Sequence, residues 1–299
     1  MRRVTSVLLG LSLASTGVVL AAAQEQQMQT SGPPKILEIQ REFLKPGKAG
    51  VIHDRSEANF VQAFAHAKWP THYVSLNSVS GPSRALFLVG YPSFEAWQKD
   101  EDATQKDTAL SASIERSEES DGELLTSFDQ VVFIYNRDLS LNPVPDLANV
   151  RFMEVTAFKL RPGHDRDWEN LVKLYKDGIQ KAGITDANWA MYHLAYGGGD
   201  DYTIFSTDKS MADMDAGMAD GKKFRDAVGD DGLKQIDELM AAAVVSVNSQ
   251  LFEINPRQSY PPSEWVTKNP GFWKTKPIEA SAAKPATKAK PVSEKKGGQ

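Results

Sequence analysis

Cysteine is absent from all 299 residues, which excludes disulfides, thiolate metal sites, cysteine nucleophiles and lipid attachment at a leader cysteine. A secreted chain without disulfides must hold itself together by buried apolar layers alone. Long apolar runs are scarce too: the one between Val7 and Ala22 is short and broken by Gly10, Ser12, Ser15 and Gly17, a poor membrane span. There is no Gly-x-Ser-x-Gly elbow for a nucleophilic serine. Gly197-Gly198-Gly199 has no helix start after it, so it is a hairpin turn rather than a phosphate loop. Asp213, Asp215 and Gly217 put the glycine one place early for a calcium loop, and no glutamate completes it.

The ends of the chain carry their own signals. Met1-Arg2-Arg3, the apolar run and Ala21-Ala22-Ala23 have the layout of a secretory signal peptide cut after Ala23; a retained N-terminal anchor helix is the alternative. From Lys274 to Gln299 the chain is Lys, Pro, Ala, Ser and Gly with almost no large apolar residue, a composition expected to stay disordered. The formal charge of −5 becomes −12 once the tail's +5 and the +2 of Arg2 and Arg3 are set aside. An acidic body argues against nucleic acid as partner of the folded region.

Between these ends the chain states one pattern twice. Glu38 opens an extended run ending in Leu44-Lys45-Pro46-Gly47, and Glu154 opens one ending in Leu160-Arg161-Pro162-Gly163. Glu38, Pro46, Gly47, Tyr73 and Gly81 stand 116 positions before Glu154, Pro162, Gly163, Trp189 and Gly197. Apolar spacing predicts a helix around Val61, Phe64 and Ala65, capped by Asp54 or Ser56, and its counterpart with Trp168, Leu171, Val172, Tyr175 and Ile179 on one stripe. Each helix is followed by a hairpin, a second helical region (from Ser93 and from about Met211) and a last strand, expected at residues 130–135 and 250–254. The charged segment 100–122 interrupts the first half's second helix in this reading. Each half is then β-α-β-β-α-β, a four-stranded antiparallel sheet with helices on one face. Two such units in tandem can bury their bare sheet faces against each other as an intramolecular pseudo-dimer.

The Leu-Lys-Pro-Gly and Leu-Arg-Pro-Gly ends, the glutamates eight residues before each Pro-Gly, and Ser93-Phe94-Glu95-Ala96-Trp97 resemble the dimeric α/β-barrel superfamily, NIPSNAP-like proteins in particular. The resemblance covers both halves. It implies an α+β pseudo-dimeric barrel with a ligand-sized space between the sheets. It also implies kinship with cofactor-independent quinone-forming monooxygenases, heme-binding and heme-degrading enzymes, isomerases and proteins without known activity.

Strand alternation assigns Val74, Leu76, Ala190 and Leu194 to the face under the helices. Tyr73, Ser75, Asn77, Trp189, Met191 and His193 are left for the space between the sheets. His193 beside Trp189 is the candidate general base or axial ligand, against the reading of a hydrogen-bonded interior histidine. Tyr73, Asn77, Trp189, Met191, Glu38 and Glu154 are the candidate ligand-binding residues, the two glutamates having strand-end salt bridges as their alternative. His53-Asp54-Arg55 recurs as His164-Asp165-Arg166; Asp54 and Asp165 read as helix caps, since metal binding would need a third group that spacing does not supply. Met211, Met214 and Met218 read as core. No metal is expected, and no cofactor, heme being the one the resemblance allows.

The expected organisation is a signal peptide (1–23), a polar lead (24–35), a first unit (36–141), a linker (142–150), a second unit (151–256), an aromatic extension (257–273) packing back on the barrel, and a tail (274–299). The function read from this is a secreted or periplasmic binder of a small apolar or aromatic molecule. A cofactor-free monooxygenase or heme-handling enzyme and a non-catalytic envelope interaction protein are the alternatives. No stable membrane span follows signal cleavage, and association beyond the pseudo-dimer is left open.

Overall fold

The computed structural model describes residues 32–144 and 147–275. The expected signal peptide, the polar lead through residue 31, two linker residues and the tail from residue 276 lie outside the described residues. Extended β-branched and aromatic runs make β1 (Ile36–Leu44), β2 (Tyr73–Ser78), β3 (Arg84–Tyr91) and β4 (Leu125–Leu141) in the first half. The second half supplies β5 (Phe152–Leu160), β6 (Trp189–Tyr196), β7 (Tyr202–Asp208) and β8 (Val244–Ile254). All neighbouring pairs are antiparallel, and they close as β1-β3-β2-β8-β5-β7-β6-β4. The order β4-β1-β3-β2 in the first half is repeated as β8-β5-β7-β6 in the second. The halves meet at two seams, β2 with β8 and β4 with β6.

Helices cover the outside. In the first half these are α1 (Val51–Ala67), α2 (Phe94–Lys106) and α3 (Thr108–Gly122); in the second, α4 (Asp165–Lys181) and α5 (Met211–Ala243). Two short helices close the described chain, α6 (Ser263–Lys268) and α7 (Pro270–Trp273). The β6–β7 turn needs its glycine: Gly197 has φ 95°, and a Cβ there would sit 2.7 Å from the Gln130 carbonyl oxygen.

The barrel interior is the largest apolar layer. Leu37, Ile39, Val74, Leu76, Leu86, Val131 and Phe133 from the first half pack with Met153, Val155, Tyr192, Phe205, Phe252 and Ile254 from the second. A second cluster lies between the α4/α5 layer and its strands, with Phe158, Trp168, Leu171, Val172, Met191 and Ile236 buried together.

Several expectations need correction. Val74, Leu76, Ala190 and Leu194 face the interior, while Trp189 and Met191 lie under the helices. Period-two alternation sorts a strand into two sets but cannot say which set points inward. Asp54 is no cap: α1 starts at Val51 after Gly50, and α4 is preceded by His164 with Asp165 as its first residue. The 100–122 segment is helical, its break confined to Asp107, whose side chain accepts from the Ala109 and Leu110 amides and starts α3. β4 and β8 begin at Leu125 and Val244, earlier than the expected 130 and 250. α5 fills the expected helical region from Met211 as one 33-residue element with its break at Gly229 (φ 72°). Met211 and Met218 are exposed rather than core.

The aromatic extension does pack back. Trp265 and Trp273 join the interior cluster at one barrel end, and the Trp273 indole N–H donates to the Ala148 carbonyl at 3.0 Å. Trp265→Ala is therefore expected to lower the unfolding free energy by about 3–5 kcal/mol, read from the urea midpoint; an unchanged midpoint would show that the extension contributes no core.

Candidate functional site

Packing inside the barrel leaves a cavity of about 120 Å³ at the end capped by the extension. Leu37, Val74 and Leu88 line it from the first half, Met153, Tyr192 and Phe205 from the second, and Trp265 from the extension. Its polar edge is thin. Tyr192 Oη donates to the Pro34 carbonyl at 3.1 Å, and His72 Nδ1 lies 3.2 Å from the Tyr260 carbonyl. Among the described residues, no carboxylate, lysine or arginine borders this cavity. The opposite end holds a second space of similar size edged by Arg41, Arg84, Asp200 and Gln250. There Arg41 pairs with Asp129, while Arg84 stacks over Phe252 at 5.1 Å and donates to Gln250.

The outer face of the first half's sheet is polar, although helices cover it. Glu38 is 2% exposed, and Gln40 and Gln130 both donate to its Oε1. Burial raises its pKa, partly offset by those two amides, with the charges of Glu101 and Asp100 raising it further. Asp100 accepts from Trp69, Thr71 and Tyr91, and burial raises its pKa as well.

One turn further along β1 a denser group forms. Glu42 from β1, His53 and Glu57 from α1, and Asp121 from α3 converge, all buried, with one donor atom from each within 4.8 Å of the rest. His53 Nε2 is 2.9 Å from Glu42 Oε2, 3.5 Å from Glu57 Oε1 and 3.7 Å from Asp121 Oδ1. His53 and Glu57 come together because four residues is one helical turn. Burial drives the Glu57 carboxyl pKa well up, with the charges of Glu42 and Asp121 adding to it. Burial likewise raises Glu42, against the pull of its bond to His53. Spacing alone could not find this group, because β1, α1 and α3 are brought together only by tertiary folding. The one available signal was the repeated His-Asp-Arg triplet, whose histidine is a member.

Of the residues expected at the ligand, Tyr73 borders the apolar cavity, its ring packed against Phe64 and Phe87. Asn77, Trp189, Met191, His193, Glu38 and Glu154 line neither space. Trp189 donates to the Leu139 carbonyl at 2.7 Å, and the His193 ring lies 6.4 Å from that of Tyr202. Glu154 is exposed and accepts from Thr156 at 3.1 Å. Sequence reasoning missed the true lining because the inward-facing set is the apolar one.

No protein-family model matches the chain, and no curated protein matches it in sequence. Solved structures do resemble it. A proposed monooxygenase from Fusobacterium nucleatum subsp. nucleatum aligns at 10% identity over 74% of this chain and 93% of its own, with a TM-score of 0.49. An anthrone oxidase-like protein aligns at 13% identity over 74% and 92%, with a TM-score of 0.47. A chlorite dismutase variant from Candidatus Nitrospira defluvii aligns at 12% identity over 82% and 98%, with a TM-score of 0.45. The barrel itself is established by its own strand pairing.

The buried Glu38 gives a pH test. Its pKa is raised in the folded chain, so folding disfavours its ionised form and that penalty grows as pH rises from the unfolded value through the folded one. Glu38→Gln is expected to stabilise the protein at neutral pH relative to wild type. The gain should vanish at pH values below the ordinary glutamate range, as urea unfolding at a series of pH values will show. A constant difference across that series would contradict the assignment.

Proposed function

We propose that this is a secreted or periplasmic barrel of the dimeric α/β type that binds a small apolar or aromatic molecule. The apolar cavity carries this reading. It is built by side chains from both halves, it is nearly free of polar groups, and a site of about 150 Å³ with comparable lining holds a benzene-sized molecule. The signal-peptide layout of Met1 to Ala23 supports the compartment. The repeated strand order supports an origin by duplication, each half serving as the other's partner.

Binding rather than turnover is what the lining favours. His72 is the one imidazole at the cavity, its Nδ1 3.2 Å from the Tyr260 carbonyl. His193, the imidazole expected from sequence, is on the outer face beside Tyr202. Selectivity is set by shape, with Tyr192 and Thr207 as edge polar groups.

The test is a panel of benzene, phenol, benzoate and naphthalene followed through the methyl resonance of Met153, which lines the cavity. One or more members should shift that resonance saturably in wild type. Ala190→Phe, which places a ring in the cavity, should abolish the shift while the chain stays folded. Silence across the panel, or equal binding in Ala190→Phe, would overturn the reading.

A further inference from the structure

We propose that Glu42, His53, Glu57 and Asp121 form a binding site for a divalent first-row transition ion, zinc foremost. Their separations from His53 Nε2 bracket those of a coordination sphere, and the four donor atoms lie within 4.8 Å of one another. Ligand atoms about 2.0–2.2 Å from a tetrahedral ion lie roughly 3.3–3.6 Å from one another, and the three oxygens stand 2.9, 3.5 and 3.7 Å from His53 Nε2.

The unmet bonding capacity points the same way. Glu57 Oε1 and Asp121 Oδ1 are buried without a hydrogen-bond partner, and their side chains are each 3% exposed. The Tyr73 hydroxyl is a third buried group without a partner, and the charges of Glu57 and Glu42 bear on it. Isolated carboxylates in such surroundings are strongly disfavoured unless paired or bound to a metal. A divalent ion reduces the charge of three ionised carboxylates from −3 to −1 and gives both orphan oxygens a partner.

The fold itself does not require these groups. Phe158 stands 116 residues after Glu42, and Trp168 and Met240 lie on the helices that cover the second half. In the second half those three pack in an apolar cluster with Leu171 and Val172, the Phe158 and Trp168 rings 4.7 Å apart. One helix-on-sheet layer is thus solved with hydrocarbon and the other with four ionisable groups. Replacing a buried ionic cluster by apolar residues is often neutral or stabilising, so packing alone gives no reason to keep the charges.

The donor set narrows the ion. Calcium takes six to eight oxygens, and magnesium keeps several waters in octahedral geometry. A dry site of four donors that includes an imidazole suits zinc and its neighbours. His53 Nδ1 lies 3.1 Å from Gln258 Nε2, which also donates to Asp54 Oδ1 at 3.0 Å. This orientation puts the imidazole proton on Nε2. Binding through Nε2 moves that proton to Nδ1 and turns the Gln258 amide so that its oxygen accepts from it, the partner a ligating imidazole requires; the turn breaks the Gln258 bond to Asp54, which keeps Asn255 and Arg257 as donors. Any proton held among the three carboxyls is released as the ion binds.

The experiment uses the full chain stripped with a chelator. Zn²⁺, Mn²⁺ or Co²⁺ is supplied both to the folded protein and during refolding, because the four groups are fully enclosed. One Zn²⁺ per chain should bind, Co²⁺ should give the visible absorption of a four-coordinate site, and the unfolding midpoint should rise with Zn²⁺. Glu57→Gln and Asp121→Asn keep side-chain volume and should fold, and each should weaken binding by about 100-fold or more. Ala190→Phe should leave metal binding intact, which separates this site from the barrel cavity. Absence of stoichiometric binding under both conditions, or unchanged affinity in the Glu57→Gln/Asp121→Asn double variant, would overturn the proposal.

Discussion

Closure of the eight-stranded sheet is the constraint from which the remaining architecture follows. An open four-stranded sheet with helices on one face leaves a bare apolar face and two free edges. Here the β2–β8 and β4–β6 seams remove the edges, and the bare faces of the two halves become one interior. The β2–β8 ladder spans only Leu76–Ser78 against Phe252–Ile254. Further bonds from the Val79 and Ser80 amides to the Leu251 carbonyl extend it. What holds so short a seam is the burial behind it: Leu76, Phe252 and Ile254 are all essentially inaccessible. At roughly 25 cal/mol per Å² of apolar surface removed from water, side chains of that size outweigh the few backbone bonds beside them.

Much of this was legible in the residues. The strand–break–helix rhythm, the 116-residue register and the return of the aromatic extension to the barrel all follow from local pattern and composition. The direction in which each strand faces did not. Val74 and Leu76 are apolar and Tyr73, Ser75 and Asn77 are less so, which suits either an apolar interior or an apolar helix layer. The first half decides it by burying polar groups under its helices: Glu38, Glu42, His53, Glu57 and Ser75 are all less than 9% exposed. A rule that sends polar side chains away from packed helices fails there, because those groups find partners across the packed elements, as Glu38 does in Gln40 and Gln130 and His53 in Glu42 and Gln258.

The two helix layers therefore ask different things of the same scaffold. Under α4 and α5, Phe158 and Met191 fill space and need no partner beyond contact, while the Trp168 indole N–H is buried without one. Under α1 and α3 the buried Glu42, His53, Asp54, Glu57 and Asp121 each carry a requirement for a donor, an acceptor or a counter-charge. Much of that requirement is met locally. Asp54 accepts from Asn255 at 2.7 Å and from Gln258 at 3.0 Å, and Ser75 Oγ donates to Gln258 at 2.9 Å. Glu57 Oε1, Asp121 Oδ1 and the Tyr73 hydroxyl stand outside this satisfied network.

The C-terminal extension joins these features by an elementary need of the backbone. β2 pairs with β8 only from Leu76 onward, so on that side the amides and carbonyls of Tyr73 and Ser75 would lack partners in a buried setting. The chain after β8 supplies them. Asn255 N–H donates to the Ser75 carbonyl at 2.9 Å, Ser259 Oγ accepts from the Ser75 amide at 2.9 Å, and Tyr73 and Tyr260 exchange a pair of bonds at 3.1 Å. Once the segment runs there, its side chains have a fixed address. Gln258 reaches His53 and Asp54 on the helix side, and Pro262 and Trp265 reach the cavity on the barrel side. Completing one strand's hydrogen bonds thus places the residues that border both the apolar cavity and the buried carboxylate–histidine group.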